Sequence, residues 1–106
     1  MSYRFMRLLL FFDLPRYTAL ERKQATRFRK DLVENGFIML QESVYCKIAL
    51  NMTAMDSVKA KVAKILPTKG SVMMLTVTEK QFENMDIYCE NFKLEVAATD
   101  SRLLVI

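Results

Sequence analysis

Five consecutive large apolar residues, Leu8-Leu9-Leu10-Phe11-Phe12, run into Asp13 and are closed off by Pro15. No polar residue alternates within the run. A strand made of it would be buried on both faces, which is the pattern of a central strand. Pro15 has no amide donor to continue a ladder, and it biases Leu14 toward an extended shape. Asp13 is therefore predicted at the carboxyl end of a central strand, on the rim of a sheet. Ligand and metal chemistry collects at such rims in open α/β sheets. Asp is also the usual turn residue where a strand gives way to a loop. Position alone leaves both readings open.

The remaining chain reads as elements that cover this strand. The strand itself is predicted from Arg4 to Phe12. Thr18-Ala19-Leu20-Glu21 is a capping box, so a helix starts at Thr18 and runs to about Asn35, where Gly36 supplies the stop. Leu20, Gln24, Phe28 and Leu32 repeat at four with Ala25 beside them, the expected core face. Arg22, Lys23, Arg27, Arg29 and Lys30 fan over the other side in an arc of roughly 160°, with Arg16 just ahead of the helix. Glu21, Asp31 and Glu34 are the acids available to balance them. The arc is either a solvated face or a phosphate-binding one.

Phe37 to Leu50 reads as extended, and Gln41-Glu42-Ser43 interrupts its pattern, so a kink or bulge should split it into two short strands. Asn51 or Thr53 caps a second helix with a buried stripe of Met55, Val58, Val62 and Ile65, flanked by Lys59, Lys61 and Lys64 and ended by Pro67. Lys69-Gly70 turns into a strand over Ser71–Val77. Thr78-Glu79-Lys80-Gln81 is a second capping box that starts a short helical turn through Phe82 and Met85. Ile87–Cys89 reads as a short strand and residues 90–101 as loop. The terminal Arg102-Leu103-Leu104-Val105-Ile106 is a β-type segment that needs a sheet edge to cover, in this chain or another subunit. The order is the β-α-β-β-α-β ferredoxin-like plan of an α+β protein, with an extra C-terminal strand. Residues 1–90 form the core domain and 91–106 the terminal loop and strand. This plan hosts many functions and identifies none.

Composition narrows the chemistry. The 106 residues suffice for one domain with a single core. The chain has no histidine, so Ser-His-Asp and Cys-His arrangements are excluded. A metal site would use oxygen ligands, which points to Mg²⁺ or Mn²⁺ rather than zinc. Cys46 and Cys89 have no Cys-x-x-Cys spacing and read as buried, inert thiols. Residues 1–80 hold 14 Lys and Arg against 7 Asp and Glu, while residues 81–106 hold 2 against 5. A basic body with a weakly acidic tail favours a polyanionic partner. No apolar run approaches the ~20 residues that span a bilayer, and the first residues lack the pattern of a secretory signal. A cytoplasmic location is expected. No Gly-rich anion loop is present, nor an aromatic platform typical of RNA-binding sheets.

Three pieces carry more information than the fold. The first strand ends Phe12-Asp13-Leu14-Pro15. Gly36 is followed by Gln41-Glu42-Ser43-Val44-Tyr45. The later strand runs Leu75-Thr76-Val77-Thr78 into Glu79-Lys80-Gln81-Phe82. In this order and spacing they resemble the CRISPR-associated Cas-two family, the small subunit of the spacer-acquisition complex, over nearly the whole chain. The opening Ser2-Tyr3-Arg4-Phe5-Met6-Arg7 and Gly36-Phe37-Ile38-Met39 look like the form from systems with a single-protein Cas-nine effector. The resemblance implies a ferredoxin-like homodimer whose terminal strands, Arg102–Ile106 here, extend the partner's sheet. It implies a place between two dimers of the Cas-one integrase, bridging the duplex DNA that becomes a spacer. It also implies magnesium-dependent endonuclease activity on single-stranded RNA or duplex DNA. Asp13 matches the family's metal-binding and catalytic Asp, and one ion would be shared between the two Asp13 of a dimer. Ser43 matches the family's Ser in the second motif. The family often has Tyr before that Asp, where this chain has Phe12. On this reading Arg16, Arg22, Lys23, Arg27, Arg29 and Lys30 meet phosphates, and duplex binding is independent of sequence.

Overall fold

In the computed structural model, which describes residues 5–89 and 103–105, the apolar run forms the strand β1 (Met6–Asp13). It is followed by helix α1 (Ala19–Glu34), strands β2 (Ile38–Gln41) and β3 (Val44–Ala49), helix α2 (Met52–Lys64) and strand β4 (Ser71–Thr78). The four strands form one antiparallel sheet in the order β2-β3-β1-β4. This is the ferredoxin-like arrangement, with β1 inside the sheet as the apolar run requires.

Alternation along β1 decides what each side chain meets. Leu8, Leu10 and Phe12 point to one face, where they join Phe28 and Leu32 of α1 and Met55 and Val62 of α2 in the buried core. Arg7, Leu9, Phe11 and Asp13 take the opposite face. Leu9 is buried there as well, between its cross-strand neighbours Cys46 and Leu75. Phe12 meets the edge of Phe28 at 5.2 Å between ring centroids and stacks on Tyr45 at 5.8 Å. Truncating a buried aromatic in such a cluster typically costs about 3–5 kcal/mol.

The caps fall where the sequence puts them. The Thr18 hydroxyl accepts from the Glu21 amide at 3.0 Å, and Glu21 Oε1 accepts from the Thr18 and Tyr17 amides at 3.0 and 2.9 Å. Gly36 follows α1 with φ +89°. Asn51, not Thr53, caps α2, its Oδ1 accepting from the Ala54 amide. One expectation for α1 fails. Leu20 is 64% exposed, whereas Ala25, Phe28 and Leu32 are buried. A strict repeat at four drifts by about 40° per step, which carries Leu20 about 120° from Leu32. The three–four spacing of Ala25, Phe28 and Leu32 stays on one stripe.

Phe37–Leu50 divides as expected: Glu42 and Ser43 turn β2 back onto β3 as a hairpin, with a register shift between Met39 and Gln41. After β4, Thr78 opens the short helix α3 (Glu79–Glu83) with its own capping box. The Arg7 guanidinium donates to both carboxylate oxygens of Glu79 at 2.9 Å and lies 4.0 Å from the Phe82 ring centroid. That pair of hydrogen bonds fastens α3 to β1. The strands β5 (Ile87–Cys89) and β6 (Leu103–Val105) then pair in parallel with each other. The terminal segment thus has an edge within its own chain. Arg4, Arg102, Ile106 and residues 90–101 lie outside the described residues. Cys46 is buried as expected. No described helix is long and apolar enough to cross a membrane.

Two outcomes are expected of the α1 cap. Thr18→Ala should lower the unfolding free energy by about 1 kcal/mol, measured by urea titration. The Thr18 amide, above all, holds the Glu21 carboxyl below its ordinary 4.5. A carboxyl lowered on folding contributes stability that is complete above its unfolded value and is lost as pH falls through the folded one. The stability gap between the wild type and Glu21→Gln should therefore persist above pH 4.5 and close below it, which denaturation at a series of pH values would record.

Candidate nucleic-acid interface

Asp13 is the last residue of β1 and is exposed, on the sheet face without α1 and α2. Three contacts fix this strand end. Asp13 pairs with Ser71 at the start of β4. The preceding amide, Phe12 N, donates to the Ser43 carbonyl at 3.1 Å, tying β1 to the hairpin turn. Gly70 lies against the Asp13–Leu14 backbone so closely that a Cβ there would sit 2.6 Å from the Asp13 carbonyl oxygen and 2.8 Å from Leu14 Cδ2. Its φ of +89° independently favours glycine. The sequence shows Gly70 only as a turn residue. Its packing role follows from the register, since pairing Ser71 with Asp13 carries residue 70 past Leu14.

The donor set suits a hard divalent cation only in part. Among the described residues no group of three or more His, Cys, Asp or Glu forms a metal cluster. A single carboxylate such as that of Asp13 supplies only part of the oxygen coordination that Mg²⁺ or Mn²⁺ requires. Residue 12 cannot contribute on the same side. The Phe12 ring is buried on the helix face, opposite Asp13.

The cations of α1 separate into two groups. Arg22, Lys23, Arg27 and Lys30 line one shallow, open groove with Thr26, Asp31 and Glu34. Arg16 is exposed in the loop ahead of it. Arg29 departs from the arc. It is half-buried, its Nε donates to the Glu42 carbonyl at 3.4 Å, and its guanidinium lies 5.5 Å from the Phe12 ring centroid. Arg29 therefore supports the hairpin turn beside Ser43. The sequence pattern does not reveal one further cation. Lys64, from the last turn of α2, lines a second groove with Arg27, Asp31 and Gln24, so positive charge continues across the helical layer. Only the packing of α1 beside α2 brings these residues together.

The opposite face of the sheet is apolar. Ile38, Ile48, Met73 and Leu75 are all exposed there, around the half-buried Phe11 and Val44. One ionic group on this face, Arg7, is already engaged by Glu79.

Gly70→Ala should destabilise the fold by about 1–3 kcal/mol, from the left-handed backbone alone, and should move the Asp13 and Leu14 amide resonances. Denaturation and NMR would record both.

The family model for CRISPR associated protein Cas2 matches residues 6–85. A protein of Treponema denticola named CRISPR-associated endoribonuclease Cas2 is 46% identical over 101 residues, covering 95% of this chain and all of the relative. A Streptococcus mutans protein of the same name is 45% identical, covering 95% of this chain and 93% of the relative. A Lacticaseibacillus rhamnosus protein, also so named, is 33% identical and covers 95% of this chain. With a strand-end Asp, a ferredoxin-like sheet and matches over this span, the chain belongs to the CRISPR-associated Cas2 family.

Proposed function

We propose that this protein works as a homodimer that binds nucleic acid along α1, and that its place is in the spacer-acquisition complex, where it bridges Cas-one integrase dimers over duplex DNA. The observation that carries this reading is the groove of Arg22, Lys23, Arg27 and Lys30. Lysine and arginine ordered along one helix meet phosphates without reading bases, and a two-fold axis doubles the footprint. The apolar sheet face supports the dimer. Ile38, Ile48, Met73 and Leu75 are too large a cluster to leave in water at no cost, and a second copy offers an identical face to cover them. The terminal segment Arg102–Ile106 would then extend the partner's sheet, in place of the pairing of β6 with β5.

A second reading is a metal-dependent endonuclease acting on single-stranded RNA or duplex DNA. Asp13 lies on the apolar face at the strand end, and relatives carry the name endoribonuclease. In a dimer packed through that face, the two Asp13 carboxylates would together hold Mg²⁺ or Mn²⁺. Bound there, such an ion polarises a phosphodiester and lowers the pKa of its bound water. The chain's own part is to orient these carboxylates through Gly70, Ser43 and Ser71, and to hold the flanking phosphates on Arg16 and the α1 cations. No histidine is available to move protons.

Three measurements test these readings. Replacing Arg22, Lys23, Arg27 and Lys30 by Gln should weaken duplex binding and flatten its dependence on salt, by up to ~0.9 in log–log slope for each phosphate no longer neutralised. Unchanged affinity and slope would mean a merely solvated face. Leu75→Glu should give a monomer by sedimentation, and an intact dimer would place the interface elsewhere. Asp13→Ala should abolish metal-dependent cleavage of single-stranded RNA while leaving duplex binding intact. Spacer integration that survives this change supports the bridging role. Its collapse in an assembled complex would reject a purely structural one.

A further inference from the structure

Tyr17 is 90% exposed, the most exposed large apolar side chain among the described residues. A single exposed aromatic is ordinary on a surface, but this one is held in an unusual way. It occupies the position just before the Thr18 cap, where an apolar residue normally packs against the fourth residue of the helix. That fourth residue is Arg22, which offers no apolar partner. Instead Arg22 Nη1 donates to the carbonyls of Arg16 and Tyr17, both at 3.2 Å. On the other side, Tyr17 N donates to Glu21 Oε1 at 2.9 Å. The backbone carrying the ring is thus pinned at its amide and its carbonyl, while the ring stands in solvent. The cation–ring contacts of Arg7 and Arg29 are made with Phe82 and Phe12, not with Tyr17.

We propose that Tyr17 is a stacking platform for an unpaired nucleobase next to Asp13, with Arg16 and the first cations of the α1 groove on the attached phosphates. This deepens the nucleic-acid reading above and rests on it. A ring on a pinned loop stacks at little entropic cost, and every base offers a π-face. A base within a continuous duplex already stacks on its neighbours, so the ligand class is single-stranded nucleic acid or the frayed end of a duplex. The sequence pattern shows no aromatic platform of the kind found on RNA-binding sheets. This one lies in the β1–α1 loop, four residues after the candidate metal ligand.

The test compares the wild-type protein with Tyr17→Ala, Tyr17→Phe and Tyr17→Trp. The probes are a single-stranded oligonucleotide carrying 2-aminopurine and a blunt duplex of the same length. Tyr17→Ala should weaken single-strand binding roughly tenfold and abolish the quenching of 2-aminopurine. Phe and Trp should keep both, and duplex affinity and melting temperature should not change in any variant. Single-strand affinity and quenching that survive Tyr17→Ala would overturn the proposal. So would an equal loss of duplex binding, which would indicate a general effect on the loop. Intact nucleic-acid binding with impaired Cas-one association would assign the ring to a protein interface and overturn it too. Wild-type protein that binds neither oligonucleotide would remove the nucleic-acid reading itself, an outcome distinct from a failure confined to Tyr17.

Discussion

The two-residue period of β1 is the constraint on which the rest of the molecule depends. Because successive side chains leave a strand on opposite faces, Phe12 and Asp13 are divided between two environments. Phe12 is drawn into the aromatic cluster with Phe28 and Tyr45 under the helices. Asp13 is thereby directed to the face without α1 and α2. A register slip of one residue would bury the carboxylate among Phe28 and Tyr45 and expose the ring. Desolvating an unpaired carboxylate costs far more than the ring could return. The core therefore selects the orientation of the one acidic residue at this strand end.

Backbone contacts place that residue. Ser43 holds β1 through its carbonyl, Ser71 through cross-strand pairing, and Gly70 through the absence of a Cβ. None of the three acts through side-chain chemistry, so residue type is a poor guide to their role. Arg7 has a comparable role at the other end of the same strand. Its paired hydrogen bonds to Glu79 and its contact with Phe82 anchor α3 on the apolar face. Shielded on both partners and closer, this pair is screened less by salt than the Lys69–Glu21 pair at 3.7 Å, whose lysine stands in solvent.

The two sides of the sheet differ in character. The helical side presents the solvated cations of the α1 groove. The other side presents apolar surface and the Asp13 carboxylate. The proposed homodimer would cover that apolar face and bring two Asp13 carboxylates together. The loop between β1 and α1 links the sides, since it begins at Asp13, carries Arg16 and Tyr17, and ends at the Thr18 cap.

Element order, the Thr18 and Thr78 caps and the central place of β1 were legible in the sequence, which left Asn51 and Thr53 both open as the cap of α2. They depend on local rules: apolar period, capping hydrogen bonds, and the conformational limits of Pro15 and Gly36. Asp13 as a strand-end residue was legible for the same reason, and the family resemblance supplied its expected role. What tertiary structure alone decided involves residues far apart in the chain. Arg29 left the basic arc because the hairpin turn of Glu42 lay within its reach. Lys64 entered the basic layer only when α2 packed beside α1, and Gly70 became the support of Asp13 only when β4 docked on β1. Local rules set which backbone shape each segment takes; contacts between segments set which side chains remain free to bind.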